Sequence, residues 1–211
     1  MSRKQFSARW LDDAFIESNS PLLRELVLNK QSSNGLDLRG LVVGLDGQIE
    51  MLKDCDFQET LLRDSDLSFG NFSCPFSRCQ WIGIKLESVK FDTCRFKDAS
   101  FKKREFLETY FRSPVLDDCL FTDCAFEGVE FSGRGFNEYG GKRVSFVGCR
   151  FSNTSFSNLQ LRASRFMESG FTKTAFSRCV LTGSSFFGDV PSIDEFKACG
   201  KRKGDGGHIV F

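Results

Sequence analysis

Histidine is all but missing from this chain: His208 is the only one among 211 residues. A Ser–His–Asp or Cys–His centre needs an imidazole held between a nucleophile and an orienting group. A lone histidine this close to the C-terminus offers no such setting. The sequence also contains no P-loop and no dinucleotide-binding fingerprint. The expectation is a non-enzymatic protein without cofactor or metal. Charge bias is lacking too, since 29 Lys+Arg against 28 Asp+Glu leave a formal net charge of +1. Composition therefore points to no acidic or basic partner. No apolar run approaches membrane-spanning length, and the opening MSRKQFSARW lacks the apolar core of a secretion signal. No membrane association and a cytoplasmic location are the expectations.

What the chain has in excess is phenylalanine, 25 residues, and it is placed with a beat of five. The centres run Phe57, Leu62, Leu67 and Phe72, slip by one residue to Phe76, then continue Trp81, Leu86, Phe91 and every fifth residue to Phe186. Of these 27 positions, 26 are large and apolar, with Gly141 the exception, and 19 are Phe. A period of five fits neither standard element. On an α-helix it advances ~500°, so the row would wander around the helix. On a flat strand it would send alternate rings to opposite faces. The rings share one interior only if the backbone bends by a fixed angle every five residues and closes into stacked coils ~4.8 Å apart.

Two residues before each centre lies a second, tighter inward slot, filled mostly by Cys, Ser, Thr, Ala or Val; Arg104, Pro114 and Leu159 are exceptions. Eight of the nine cysteines occupy it, and the ninth is Cys199 in the tail. Pairs such as Cys74/Cys79 are five apart, the repeat length and not the short gap of a zinc knuckle. Buried free thiols acting as small hydrophobes are expected. Units such as CRFKD, ASFKK, CAFEG and TSFSN resemble the pentapeptide-repeat family. That resemblance covers about two-thirds of the chain and implies an all-β fold, a right-handed quadrilateral β-helix with four units per coil.

Around this solenoid, residues 1–35 read as a helical cap. ARWLDDAFIE has helical spacing with Leu11, Ala14 and Phe15 on one side, and Ser20-Pro21 reads as the start of a second helix. The repeat region is 36–188, opening with units centred on Leu38 and Val43 and irregular at 46–53, 73–76 and 133–143. In the last, Arg134 and Tyr139 fall in inward slots, which predicts a local bulge. Residues 189–211 read as a C-terminal helix, opened by the capping box Ser192–Glu195, and a tail ending His208-Ile209-Val210-Phe211. That apolar end closes the rod or pairs it with a second copy.

With four units per coil, residues 20 apart stack. One wall, centred on Phe101, Phe121, Gly141 and Leu161, then carries Lys102, Lys103, Lys142, Arg143 and Arg162. The next carries Glu87, Glu105, Glu108, Glu127 and Glu168. Adjacent basic and acidic walls suit a polarised protein-docking surface; with Arg134 and Tyr139, these are the candidate partner-binding residues. The resemblance implies non-enzymatic roles of two kinds. One is binding DNA gyrase by imitating duplex DNA, which requires a dominantly negative rod; residues 52–188 hold 19 Lys+Arg against 17 Asp+Glu. The other is an immunity protein that binds and neutralises a cognate bacterial toxin, the better fit to a polarised neutral rod. Direct nucleic-acid binding lacks exposed, interleaved aromatics.

Overall fold

The computed structural model describes residues 3–28, 30, 35–134, 139–201, 203–204 and 207–211. In it the beat of five is a corner. Two residues past almost every centre the backbone enters the left-handed region, as at Asp98 (φ 59°), Lys103 (54°), Glu108 (48°) and Ser113 (50°). For a non-glycine residue this is uncommon and unfavourable. It persists because the corner N–H is satisfied by the next coil along most of the rod, Asp98 donating to the Asp117 carbonyl at 3.0 Å and Lys103 to Thr122 at 2.9 Å. One left-handed residue per five supplies the constant bend that the sequence demanded.

Four bends close a coil, giving a right-handed quadrilateral β-solenoid of about seven turns. The first wall stacks Phe57, Phe76, Phe96, Leu116, Gly141, Leu161 and Leu181, joined chiefly by single bridges. The second stacks Leu62, Trp81, Phe101, Phe121, Phe146, Phe166 and Phe186. The third stacks Leu38, Leu67, Leu86, Phe106, Phe126, Phe151 and Phe171. The fourth stacks Val43, Phe72, Phe91, Phe111, Phe131, Phe156, Phe176 and Phe196. All these pairings are parallel and in register, so like ring meets like ring, as in Phe101 on Phe121 at 4.7 Å and Phe131 on Phe156 at 4.7 Å.

The inward slot does more than fill space. Thr109 Oγ1 donates to the Leu86 carbonyl at 3.0 Å, Thr154 Oγ1 to Phe126 at 3.1 Å and Cys94 Sγ to Phe72 at 3.1 Å. A small side chain with a donor fits both the volume and the carbonyl one coil below. All nine cysteines are buried and free, as expected. Burial holds the Cys79 thiol protonated, its pKa pushed up to about 12.

Both ends depart from the sequence reading. The N-terminal cap is an α-helix, Arg3–Ala8, a 3₁₀ turn, Arg9–Leu11, and a second α-helix, Asp13–Leu28, that runs straight through Ser20-Pro21. The real helix start is Asp12, whose carboxylate accepts the Phe15 N–H at 2.9 Å. Pro21 cannot donate yet does not end the helix; just before it the Asn19 amide and Ser20 hydroxyl add bonds to the Phe15 and Ile16 carbonyls. Leu11 and Ala14 are exposed and Phe15 is half-buried; Phe6, Trp10, Leu23 and Leu26 are the buried apolar residues of the cap. The cap is pinned by Arg9, which reaches Asp37 at 2.7 Å, and by the Trp10 indole, which donates to the Arg39 carbonyl at 2.9 Å.

Asp37 also accepts from the Arg39 side chain at 2.8 Å. Hydrogen bonds from Arg39 and then Arg9 hold its carboxyl well below the ordinary carboxylate range. A depressed carboxylate stabilises the fold above the unfolded pKa of ~3.9 and loses that contribution as pH falls below it. Asp37→Asn is therefore expected to lower the melting temperature at neutral pH, with the difference from the wild type shrinking steadily as the pH falls below ~4, read by circular dichroism as the pH is lowered. The pair is partly solvated, so the effect is modest.

At the other end no α-helix forms among the described residues. The capping box at Ser192 and Glu195 is present, but it opens only a 3₁₀ turn, Ile193–Glu195. Core packing overrides helix extension: Pro191 is buried, Phe196 stacks on Phe176 at 5.1 Å, and Cys199 takes the inward slot above Cys179, its Sγ 3.4 Å from the Phe176 carbonyl. The repeat thus continues past 188 to Cys199. The tail then turns back, and His208–Val210 pairs antiparallel with Ser185–Phe187. Ile209 is buried and Phe211 packs on Phe196 at 4.9 Å. The apolar tail closes the rod within its own chain.

Candidate functional site

All three breaks in the repeat fall at one corner, the one between the fourth and first walls. The first lies between Val43 and Phe57. There Gly44 donates to the Leu52 carbonyl at 2.9 Å, a 3₁₀ turn spans Glu50–Leu52, and Ile49 and Leu52 are buried while Leu45 is 81% exposed. This excursion is therefore packed against the rod, with one apolar side chain pointing away. The second is the slip from Phe72 to Phe76, which shortens one coil by a residue without disturbing the stack, since Phe57 still meets Phe76 at 5.3 Å.

The third lies between Phe131 and Gly141, and it changes the reading of the surface. Leu120 pairs with Ser145, Phe126 with Phe151 and Phe131 with Phe156, so this coil has 25 residues instead of 20. One extra unit has been inserted, and it preserves the beat while shifting every later residue by one wall. The centre Phe136 and its neighbours 135–138 lie outside the described residues. Arg134, expected in an inward slot, is instead exposed and donates to Asp92 at 3.1 Å, two coils back along the same corner. Tyr139 is half-buried against the core. Gly141 stacks above Leu116; a Cβ there would lie 2.7 Å from the Leu116 backbone and 2.6 Å from a Val144 methyl, so only glycine fits.

The inserted unit breaks up the basic wall expected from 20-residue stacking. Lys102 stands on the second wall and Lys103 at its corner with the third. Lys142 and Arg162 stand on the first wall, one coil apart, with Arg95 and Lys97 below and Asp117 between. Arg143, at the next corner, is held by Asp118 through bonds of 2.6 and 2.7 Å, and the guanidinium keeps that carboxyl below its usual range. The acidic set lies almost wholly below the insertion and fares better. Glu87, Glu105 and Glu127 share the third wall, with Glu108 at its corner with the fourth and Glu168 at its corner with the second.

What sequence reasoning missed is Leu45 and the first-wall pair Arg95 and Lys97. Both were legible as an apolar residue in a broken unit and as two bases flanking Phe96, once the walls were assigned. Among the described residues no group of His, Cys, Asp and Glu could hold a metal ion, and no helix is long and apolar enough to cross a membrane.

No curated protein matches the sequence. Among solved structures, a trypsin-treated form of QnrB1, a plasmid-mediated fluoroquinolone resistance protein, is similar at 17% identity, over 72% of this chain and 84% of that one, with a TM-score of 0.36. HetL, a pentapeptide repeat protein involved in heterocyst differentiation regulation from the cyanobacterium Nostoc sp. strain PCC 7120, is similar at 15% identity, over 73% and 86%, with a TM-score of 0.28. The family model for the pentapeptide repeat region matches residues 74–139 and 119–189, together more than half of the 211-residue chain. With the five-residue corner, the donor-bearing slot and the four stacked walls all accounted for, the chain belongs to the pentapeptide-repeat family.

Proposed function

We propose that this protein is a non-enzymatic scaffold that grips one specific protein partner, and that the partner is a bacterial toxin or effector which it neutralises. The observation that carries the reading is the confinement of all three breaks between Val43 and Gly141 to one corner. A regular rod looks alike at each level, so specific recognition needs features that do not repeat. Here the exposed Leu45, the Arg134–Asp92 bridge and the half-buried Tyr139 all lie along or beside one edge. Beside it the first wall presents Arg95, Lys97, Lys142 and Arg162 as exposed cations. An apolar anchor next to a basic strip suits an acidic partner surface and fast, steered association.

The test is co-expression with a toxin encoded at the same locus, scored by survival and co-purification. Protection is expected from the wild type. Lys142→Glu with Arg162→Glu should keep the fold and lower the association rate by about tenfold or more at low salt. Arg143 is left untouched because it is bound to Asp118. If the protein neither protects nor binds such a toxin, and instead alters gyrase supercoiling at low micromolar concentration, the gyrase-binding reading replaces this one.

A further inference from the structure

Phe171 breaks a rule that every other described centre from Phe57 to Phe186 obeys: it is only partly buried. Two features of the wall around it stand out. The residue before it is Gly170, whose backbone does not require glycine and where an added Cβ would meet nothing nearer than an Asp189 carboxylate oxygen at 3.8 Å. A strand glycine without a packing or dihedral reason weakens the strand. Secondly, the third-wall sheet ends at Gly170–Thr172, whereas the second and fourth continue to His208–Val210 and Phe196–Lys197. The chain leaves the third wall at Asp189–Pro191, and proline has no N–H to extend the ladder.

On the third wall lies a hollow of about 500 Å³, crossing four strands from Glu105 to Asp189; Leu107, small residues such as Ala125 and Ser152, and the strand centres line it, and of those centres only Phe171 is not fully buried. Its charged lining is Glu105, Glu127 and Asp189 against Arg150. Among the described residues none of the three carboxylates is in an ion pair. The corners on either side add Glu108, Asp123 and Glu168 against Lys103 and Lys173. Carboxylates around a partly uncovered aromatic ring are a complement to a guanidinium. That group takes a carboxylate bidentately and stacks on a ring face, which an ammonium does less well.

We propose that this hollow is a docking site for an arginine-bearing extended segment of a protein partner. Its span, three strand spacings of ~4.8 Å, or ~14 Å, is that of about four extended residues. Two arginines separated by one residue then reach the Glu105–Glu127 end and the Asp189 end together, and the stem of the second lies on Phe171. The site is on the wall opposite the first, away from the edge proposed above, and rests on that reading only in taking the partner to be a protein.

The probe is a labelled acetyl-Ala-Arg-Ala-Arg-Ala-amide peptide, titrated by fluorescence polarisation at physiological ionic strength beside its Lys and Glu counterparts. Saturable binding is expected for the Arg peptide, weaker for Lys and none for Glu. Glu127→Gln and Gly170→Val, each checked for an unchanged circular dichroism spectrum, should weaken it about tenfold, and Glu130→Gln on the fourth wall should not. No binding by the Arg peptide, or equal loss from Glu130→Gln and Glu127→Gln, overturns the site. Gly170→Ala takes the place of Gly170→Val where the larger side chain disturbs folding. Peptide binding without toxin protection dismisses the immunity reading alone; protection with a wild-type peptide affinity in Glu127→Gln dismisses this one alone.

Discussion

Phe126→Ala is expected to cost ~3–5 kcal/mol of folding free energy, the range for deleting a buried aromatic ring, and to do so without altering either end of the rod. Phe126 lies at the middle of the stack, 4.8 Å from Phe106 below and 4.8 Å from Phe151 above, each within 6° of parallel. It also meets Phe121, Phe131 and Phe146 at an angle, so one ring bridges three walls. The cavity cannot collapse easily, because the backbone on both sides is fixed by in-register ladders. In a solenoid each coil touches only its neighbours, so the loss falls on the two coil–coil interfaces that hold the rod together. Chemical denaturation of the variant should show a lower midpoint, with hydrogen exchange quickening first in the coils around Phe126. A loss below ~1 kcal/mol would contradict an interior ring ladder.

The ladder was legible in the sequence because its cause is local. A five-residue unit carries its own centre, slot and corner, and neither helix nor flat strand tolerates that period. The stacking of surface residues was not legible to the same degree. Twenty-residue spacing holds from Phe76 to Phe131, so Glu87, Glu105 and Glu127 were placed together correctly. It fails across the inserted unit, which leaves the phase of the Phe beat intact and so gives no sign of itself in the apolar pattern. Gly141 was the visible clue: a centre without a side chain marks a coil where the backbone itself approaches its neighbour. At the ends, Ser20-Pro21 and Ser192–Glu195 are sound helix-start signals in isolation. Each was overruled by burial, of Leu23 and Leu26 in one case and of Phe196 against Phe176 in the other. Cap chemistry contributes about 1 kcal/mol, less than a buried aromatic side chain.

Removal of residues 203–211 should turn a dispersed rod into an associating one. A solenoid's last coil leaves unpaired strand edges and uncovered rings, the two features that drive edge-to-edge aggregation. Here the antiparallel strand His208–Val210 covers the edge of Ser185–Phe187 and Ile209 sits over Phe186. Phe211 completes the cover, 6.0 Å from Phe186 and 4.9 Å from Phe196, with its N–H on the Ser184 carbonyl at 3.0 Å. Without them the second wall ends on a bare parallel strand, and Phe186 and Phe196 face water together. Light scattering of the truncated protein should show concentration-dependent growth in mass where the full chain shows none. Phe211→Asp, which keeps the strand but withdraws the ring, should fall between the two. A truncated chain with the size and solubility of the full one would mean that the coil ends at Phe196 need no cover. The antiparallel turn of the tail would then have to be explained by something other than protection of the edge.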